Sequence, residues 1–396
     1  MHIGILSQAS NFHCQKWAKA LQKAGNQVTV FTLENYDIKD VPCISLLKNQ
    51  NEWSYLDFYF TKNKLKEAIK SEKIDVLHPL HLTPYGVWGY WTDFQPMVPA
   101  AMGADVFEYI PSQVIPELKY RSWNDKHEKK NLVNSFKKII LKKYHRYMVK
   151  QVTLHAKYIT ADNQTLISAL FKYFQVPPEK LFLQRWGVDE EIFHAIPEEN
   201  YEKTLLKFGL NTSKPIILSP RGLMPIYNGD IILKSFENLV KKYDQFQWVM
   251  MSAGYVIPSH LKPTIQDLEN QYAHFRCIQQ QISREEMAVI WKHTKIFISV
   301  PIYDGYSAAV AEGRYVGAIP IVNDIPGNRE VIQHLENGII FHPLNIKNLT
   351  QNLEFVIENL ETLYEKFKIH NQNWIKKYGL LNQDAQRFTN FLTTKL

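Results

Sequence analysis

Short runs of apolar residues alternate along the chain with stretches whose apolar positions recur at helical spacing. Buried strands separated by helices in this way are typical of parallel βαβ units. The predicted strands of the first half are His2–Leu6, Gln27–Leu33, Ile74–Leu77, Pro96–Ala101, Tyr158–Ala161 and Leu181–Gln184. Those of the second half are Ile216–Pro220, Gln247–Met251, Phe275–Ile278, Ile296–Val300 and Ile319–Val322. The pattern predicts an α/β protein with two doubly wound, Rossmann-like domains facing each other across a cleft.

The length of the chain agrees with two domains, because 396 residues are many for a single hydrophobic core. We expect the first domain to be residues 1–195 and the second to be residues 196–381. The polar segment His194–Leu205 contains Pro197 and is the predicted linker. The end of the chain, from Asn348 to Leu396, has a polar and mainly helical pattern.

The stretch with the clearest candidate chemistry is Ile296–Ile325, a strand, a tight loop, an Ala-rich helix and a second strand. The start of a helix after a strand favours a phosphate, because free N–H groups and the helix dipole both attract an anion. Asp304 precedes the helix, and Glu312 follows eight residues later, or ~12 Å along a helix. A nucleotide sugar fits this layout, with the diphosphate on the Ser307–Ala309 amides, Glu312 on the ribose and Asp304 on the sugar. The alternative is an N-capping Asp304 and an exposed helical Glu312.

Arg221 lies just past the strand Ile216–Pro220, in a predicted strand-to-helix loop. A guanidinium in such a loop can bind a pyrophosphate through two parallel hydrogen bonds. We therefore expect Arg221 to join the anion site.

The first half offers weaker candidates. Its first strand-to-helix loop has no glycine, so phosphate binding is not expected there, and His13 either reaches the cleft or lies on the surface. The loop HPLHLTPYGVWGYW is rich in aromatic residues, which either bind a sugar or pack in the core, and we favour the core for Trp88. Gly103 permits a tight turn, and Asp105 either caps the next segment or binds a hydroxyl.

Composition excludes several other classes of protein. The chain is 45% hydrophobic and 21% charged, as in ordinary globular proteins. Cys14, Cys43 and Cys277 have no metal-ligand or disulfide spacing. The start MHIGILSQ reads as a strand rather than a signal peptide, and no apolar run has transmembrane length. We expect a cytoplasmic protein.

The net charge of +7 arises in the first half. Basic residues are concentrated between Lys119 and Lys157, which suggests an anionic partner such as membrane lipid or nucleic acid. The segment Leu132–Val152 has an apolar stripe through Leu132, Phe136, Ile139, Ile140, Tyr144 and Met148. Its basic face, Lys137–Lys150, is either solvated or docks on the inner face of the cell membrane. We expect no nucleic-acid partner.

Seven motifs in family order make the chain resemble the retaining glycosyltransferases of family 4, which have the GT-B fold. They are IDVLHPLHLTPYG, MGADVF, AKYITADNQTLIS, WGVDEEIF, SPRGL with NGD, DGYSAAVAEG and IPGNREVIQHLENGIIF. The resemblance covers nearly the whole chain. It implies sugar transfer with retention from a UDP or GDP sugar to a hydroxyl of a glycan or lipid-linked acceptor, as in polysaccharide or glycoconjugate synthesis. It implies no cofactor and no metal, and the sequence contains no Asp-x-Asp.

The resemblance also assigns roles to residues. Asp304 and Glu312 match the family's two acids, which contact the donor sugar and the ribose, and Arg221 matches the arginine that grips the leaving diphosphate. The predicted donor-binding set is completed by Asn228, Gly254, Ile282, Gly305, Tyr306, Ser307, Ala308 and Ala309. The predicted acceptor-side set is His13, His81, Tyr85, Gly103 and Asp105. The last helix, residues 382–396, is expected to pack back on the first domain.

The chain departs from the family pattern at four places. Asp304 replaces the usual Glu, Asn228 replaces the Lys that joins the arginine, Met102 replaces a frequent His, and the N-terminal glycine-rich loop is missing. Losing a cation beside the leaving diphosphate removes transition-state stabilisation, so we expect slower chemistry or a different phosphate geometry. A catalytically weak or silent subunit that binds a sugar nucleotide or a partner is one alternative. A nucleotide-sugar epimerase is another.

Overall fold

The computed structural model describes residues 1–47, 54–107, 109–110, 132–252 and 254–396, and the side chains of 132–139 are outside this description. The described residues fall into two compact units. The first unit holds everything up to Gly187 together with Leu381–Leu396, and the second holds Val188–Leu380. The first unit thus ends at Gly187 rather than at residue 195.

The first unit is built on parallel strands. They are β1 (His2–Leu6), β2 (Gln27–Thr32), β3 (Cys43–Ser45), β4 (Val76–Pro79), β5 (Ala100–Ala101), β6 (Ile159–Ala161) and β7 (Leu181–Leu183). They form the ladders β3-β2-β1-β4 and β5-β6-β7, which a parallel bridge between Leu80 and Ala100 connects. The helices are α1 (Phe12–Lys23), α2 (Tyr55–Ser71), α3 (Val87–Tyr90), α4 (Ala104–Phe107), α5 (Leu132–His155) and α6 (Gln164–Phe174).

The second unit has a six-stranded parallel sheet in the order β10-β9-β8-β11-β12-β13. Its strands are β8 (Ile216–Ser219), β9 (Gln247–Met251), β10 (Phe275–Ile278), β11 (Thr294–Ser299), β12 (Ile319–Asn323) and β13 (Ile339–Phe341). Its helices are α7 (Tyr201–Lys207), α8 (Gly229–Leu239), α9 (Lys262–Gln271), α10 (Arg284–His293), α11 (Ala308–Val316), α12 (Pro326–Arg329), α13 (Ile346–Glu358) and α14 (Leu360–Tyr378). The last helix, α15 (Leu381–Lys395), packs against α1 through Phe388 and Leu392 in the core of the first unit.

Both sheets are doubly wound, since the chain forms β1-β2-β3 and β8-β9-β10 outward in one direction and then returns to the other side of the first strand. The predicted α/β class with Rossmann-like units is therefore confirmed. In such sheets, ligands bind beyond the carboxyl ends of the strands, where the winding direction changes. In the second unit this switch point lies between β8 and β11.

One prediction of local structure is wrong, and another feature differs in part from its sequence pattern. The expected linker at 194–205 is folded into the second unit, where α7 begins at Tyr201 and Leu205 is fully buried. Of the apolar stripe of α5, Ile140 and Tyr144 are 54% and 41% exposed, whereas Met148 is buried, and the side chains of Leu132, Phe136 and Ile139 lie outside the described residues. Among the described residues, the C-terminal half of α5 packs on the unit through residues that include Met148 and Val152.

Helix α11 lies close to the sheet because of a glycine. A Cβ at Gly313 would collide with the ring of Phe297 on β11, so only glycine permits this approach. The helix ends at Gly317, whose φ of 85° is in the left-handed region.

Candidate active site

The N-terminal turn of α11 is the predicted anion site. Ser307 is its N-cap residue and is 8% exposed, and Ala308 and Ala309 begin the helix. The Ser307 side chain makes no capping hydrogen bond, so it leaves the first-turn N–H groups that lack intrahelical partners to a ligand. Gly305, two residues before the cap, donates its N–H to Asp304 Oδ1 at 3.1 Å.

Arg221 and Asp304 meet at the switch point of the second sheet. Arg221 follows β8 and Asp304 follows β11, and these strands are neighbours. Arg221 Nη1 donates to Asp304 Oδ2 at 2.8 Å and to Ser307 Oγ at 3.0 Å. The guanidinium also stacks 4.3 Å from the centre of the Tyr227 ring. The structure thus places a cation, a carboxylate and a helix N-terminus together.

Electrostatics keep Arg221 charged in this position. Burial by itself would lower the pKa of Arg221, but Asp304 and Tyr227 together raise it above its ordinary value. The side chains of Arg221 and Asp304 are 21% and 19% exposed, so both remain accessible to solvent and to a ligand.

Glu312 lies within α11 and is buried, with 5% exposure. Its Oε2 accepts a hydrogen bond from Trp291 Nε1 at 3.0 Å, and its Oε1 pairs with Arg284 Nη2. Trp291 is 1% exposed and packs edge-on against Phe297, whereas the Arg284 side chain is 32% exposed. The alternative from the sequence, an N-capping Asp304 with an exposed Glu312, is wrong on both counts.

Asn228 does not join the Arg221 group. Its Nδ2 donates to the carbonyl of Val300 at 2.7 Å, and its backbone has a left-handed φ of 53° where α8 begins. It lines a cavity of about 380 Å³ beyond β12 and β13, and Arg221 and Asp304 are not among the described residues that line it. The amide therefore ties two loops together.

The remaining predicted donor residues include Gly254, Ile282 and Tyr306. Gly254 follows β9 with a φ of 77°. Ile282 directly precedes Ser283, the N-cap residue of α10, so it is two positions from Arg284. Tyr306 and Ile282 are both partly buried against the same hydrophobic cluster.

Two family models match the chain, and each covers most of one unit. The model of glycosyl transferase 4-like proteins matches residues 2–163, and that of glycosyl transferases group 1 matches residues 201–374. The chain is a GT-B glycosyltransferase.

Solved structures agree with this assignment at the level of the fold. A glycosyltransferase from Rickettsia africae has a TM-score of 0.72 and 18% identity, over 100% of this chain and 98% of that one. Sucrose-phosphate synthase from Thermosynechococcus elongatus has a TM-score of 0.74 and 12% identity, over 100% and 98%. Anabaena HepE, solved with UDP-glucose, has a TM-score of 0.74 and 12% identity, over 100% of both chains. A comparison with curated protein sequences gave no match.

In the first unit of the glycosyltransferase, the expected acceptor-side residues Asp105 and Gly103 have structural contacts. Asp105 is 5% exposed, and its Oδ2 and Oδ1 accept hydrogen bonds from the backbone N–H groups of Leu82 at 2.7 Å and Met102 at 3.0 Å. His81 Nδ1 lies 3.7 Å from Asp105 Oδ2, and its side chain is 35% exposed. Gly103 has a φ of 102°, as its predicted tight turn requires. Among these residues, His81 offers the more accessible side chain.

The aromatic loop of the first unit mostly packs inward. Trp88 is fully buried, as predicted. Tyr85 is only 6% exposed and packs edge-on against Phe58, so its ring belongs to the core rather than to an open acceptor surface. His13 is half-buried beside Trp186, with their ring centres 6.2 Å apart.

Arg284, Trp291 and Tyr227 contact predicted site residues, and the sequence alone did not single them out. Their partners are distant in the chain, so no local spacing reveals them. The one available signal was the capping box Ser283-x-x-Glu286, which fixes the start of α10 and therefore the position of Arg284. Among the described residues, no cluster of His, Cys, Asp and Glu side chains is arranged to hold a metal ion.

Proposed function

We propose that this glycosyltransferase is a retaining, metal-independent enzyme of family 4 that moves a sugar, a hexose, from a UDP or GDP sugar to a hydroxyl of a glycan or lipid-linked acceptor. The observation that carries the proposal is the group formed by Arg221, Asp304 and Ser307 at the N-terminus of α11. A cation and an uncapped helix end together favour a diphosphate.

Each side chain then has a specific task. Arg221 and the Ala308 and Ala309 amides bind the diphosphate and stabilise the negative charge that develops as it leaves. The hydrogen bonds of Arg221 to Asp304 and Ser307 both come from Nη1, and a guanidinium has five N–H donors, so these two partners do not exhaust it. Glu312 accepts hydrogen bonds from the ribose hydroxyls, and Asp304 contacts the donor sugar. No protein nucleophile is assigned, because the acceptor hydroxyl attacks from the face that the diphosphate leaves, and no protein base is assigned, because the departing phosphate takes the acceptor proton.

The acceptor is the less defined partner. We propose a glycan or lipid-linked hydroxyl compound used in cell-surface polysaccharide or glycoconjugate synthesis. The enzyme would then work on the cytoplasmic side, at an anionic membrane surface that contacts Lys137–Lys150. The basic segment 119–131 and the side chains of Lys137 and Lys138 lie outside the described residues. Among the described residues, no helix has both the length and the apolar character needed to cross a bilayer.

Asn228 favours a second candidate function. Its amide bonds to the Val300 carbonyl and leaves Arg221 as the cation at the predicted diphosphate position. A subunit that binds a sugar nucleotide without rapid transfer is therefore the alternative.

An assay with a panel of sugar-nucleotide donors distinguishes the two candidate functions. Purified protein is incubated with UDP and GDP sugars, with and without candidate acceptors, while nucleotide release, product anomer and donor-induced thermal shifts are measured. Acceptor-dependent nucleotide release with a retained anomer supports the enzyme. A donor-induced shift with no release under any condition supports the silent subunit, and the absence of any shift contradicts both.

A further inference from the structure

A second candidate site lies in the first unit, whereas the predicted donor-binding residues belong to the second. Helix α5 and the C-terminal end of α6 enclose a cavity of about 410 Å³. Its lining includes Lys143, Arg146 and Lys150 of α5, with the phenol rings of Tyr147 and Tyr173. Because the α5 positions follow one another by three or four residues, these cations project from the same side of the helix.

The positive charge at this cavity is not balanced locally. Neither α5 nor α6 contains an Asp or Glu, whereas α5 alone carries six Lys and Arg residues. Among the described residues, none of the three lining cations forms an ion pair. Like charges one helical turn apart disfavour the folded helix. An anionic ligand would remove that repulsion.

The chemistry of the lining fits a phosphate group. Phosphate oxygens accept several charge-assisted hydrogen bonds, and Arg binds two of them with its planar fork. The Tyr147 and Tyr173 hydroxyls can donate further hydrogen bonds. The lining has donors but no carboxylate, which suits an anion and disfavours a cation.

Exposed apolar side chains on the two helices that line the cavity indicate where that phosphate comes from. On α5, Ile140 and Leu154 are 54% and 61% exposed, and on α6 Phe171 is 54% exposed. A helix with a merely solvated face would carry polar residues at such positions. Basic residues interleaved with exposed apolar and aromatic ones are typical of helices that lie in a membrane interface.

We propose that this cavity binds the phosphate group of an anionic membrane lipid while the neighbouring apolar side chains enter the acyl boundary. The inference rests on the proposed action at a membrane surface and names the residues that recognise the lipid. It is independent of the nucleotide-sugar site, since every lining residue belongs to the first unit.

The test is a flotation assay with the full chain and phosphatidylcholine vesicles, with and without phosphatidylglycerol. The variant Arg146→Gln/Lys150→Gln removes two lining cations. The matched control Lys66→Gln/Lys70→Gln removes the same charge from exposed positions of α2. We expect the first variant to lose about tenfold or more of its affinity for phosphatidylglycerol vesicles, while the control stays near wild type. Donor-induced thermal shifts should be unchanged in both.

Other outcomes overturn the inference in distinguishable ways. Equal losses in both variants would mean diffuse attraction to the membrane without a phosphate site. No vesicle binding by the wild type would contradict the membrane surface itself. A thermal shift with inorganic phosphate that disappears in Arg146→Gln/Lys150→Gln, without vesicle binding, would indicate a soluble phosphate compound instead. A lower melting temperature of that variant with unchanged vesicle binding would mean that the cations only stabilise the C-terminal end of α6.

Discussion

Asp105 in the first unit and Glu312 in the second are equally buried, at 5% exposure, but different kinds of donor hold them. Asp105 accepts from the backbone N–H groups of Leu82 and Met102. Glu312 accepts from the side chains of Trp291 and Arg284. Both carboxylates belong to helices that follow a parallel strand. The sequence alone makes both of them candidates for binding a hydroxyl.

The kind of hydrogen-bond donor distinguishes a carboxylate with a structural role from one that can bind a ligand. Backbone donors are fixed by the fold, so moving Asp105 away from them would leave buried N–H groups without acceptors. Arg284 is partly exposed and can turn aside or share its carboxylate, because an ionised carboxylate has about four acceptor positions. We infer that Asp105 ties two loops together, whereas Glu312 keeps capacity for a ligand. Burial alone would not have shown this.

The largest expected effect is at Arg221, whose partners are also side chains. Arg221→Ala should lower kcat/KM by about 10²–10³, the range observed when one preorganised donor to a developing charge is removed. The measurement is steady-state transfer from the best donor. Arg221→Lys keeps the charge but not the fork, and should recover part of the loss. Unchanged kinetics in the Ala variant would remove Arg221 from the diphosphate site.

A paired experiment tests the comparison itself. Glu312→Ala should raise the donor KM about 10–100-fold, since a hydrogen bond to a charged group contributes ~1.5–3 kcal/mol. Asp105→Ala should leave the donor KM unchanged and reduce the free energy of unfolding by about 3 kcal/mol, because two backbone donors lose their acceptor. Donor kinetics and urea unfolding of both variants give the answer. The opposite pattern would reverse the two roles.

Asp384 sharpens the comparison because it combines both kinds of donor. It is 1% exposed, accepts from the backbone N–H of Gly187 at 2.9 Å and pairs with Arg387. Burial raises its pKa from 3.8 to about 7, against the opposing effects of Arg387, Gly187 and Arg185. The folded state therefore binds more protons than the unfolded state between these values, and stability falls as the pH rises through that window.

His78 acts in the opposite direction. It is fully buried, accepts a hydrogen bond from Trp17 Nε1 at 3.1 Å, and lies 2.5 Å from the Val98 carbonyl through Nδ1. Burial lowers its pKa from 6.5 to about 4. The unfolded state binds the additional proton in this range, so the His78 contribution to stability rises with pH and partly cancels that of Asp384.

The smallest expected effect follows from this cancellation. In Asp384→Asn the His78 contribution remains, and the free energy of unfolding should rise by up to ~1.4 kcal/mol per pH unit between about pH 4 and 6.5. The wild type should be flatter. Urea unfolding of both proteins across this range measures the slopes. Superimposable profiles would contradict the raised pKa of Asp384.

Sequence reasoning predicted what depends on local pattern. The strands β1, β9 and β10 have the bounds that the sequence predicted, and Asp304 and Ser307 are next to the helix start that their spacing indicated. The partners of charged side chains were not predictable in this way. Arg221 and Asp304 are 83 residues apart, and Arg284 and Glu312 are 28 apart. Tertiary packing decides such pairs, and it also buries Tyr85 and folds the segment that was expected to be a linker.

The close approach of α11 to β11 at Gly313 has a consequence for both ends of the donor site. Ser307 and Glu312 both lie before Gly313 in the helix, and Glu312 directly precedes it. The contact at Gly313 therefore fixes the orientation of the helix segment that carries both residues. A methyl group at position 313 would tilt the helix, and the resulting displacement would be larger at Ser307, which is farther from the contact, than at Glu312. The position of both the phosphate-facing end and the buried acid relative to the sheet is therefore set by an absent side chain.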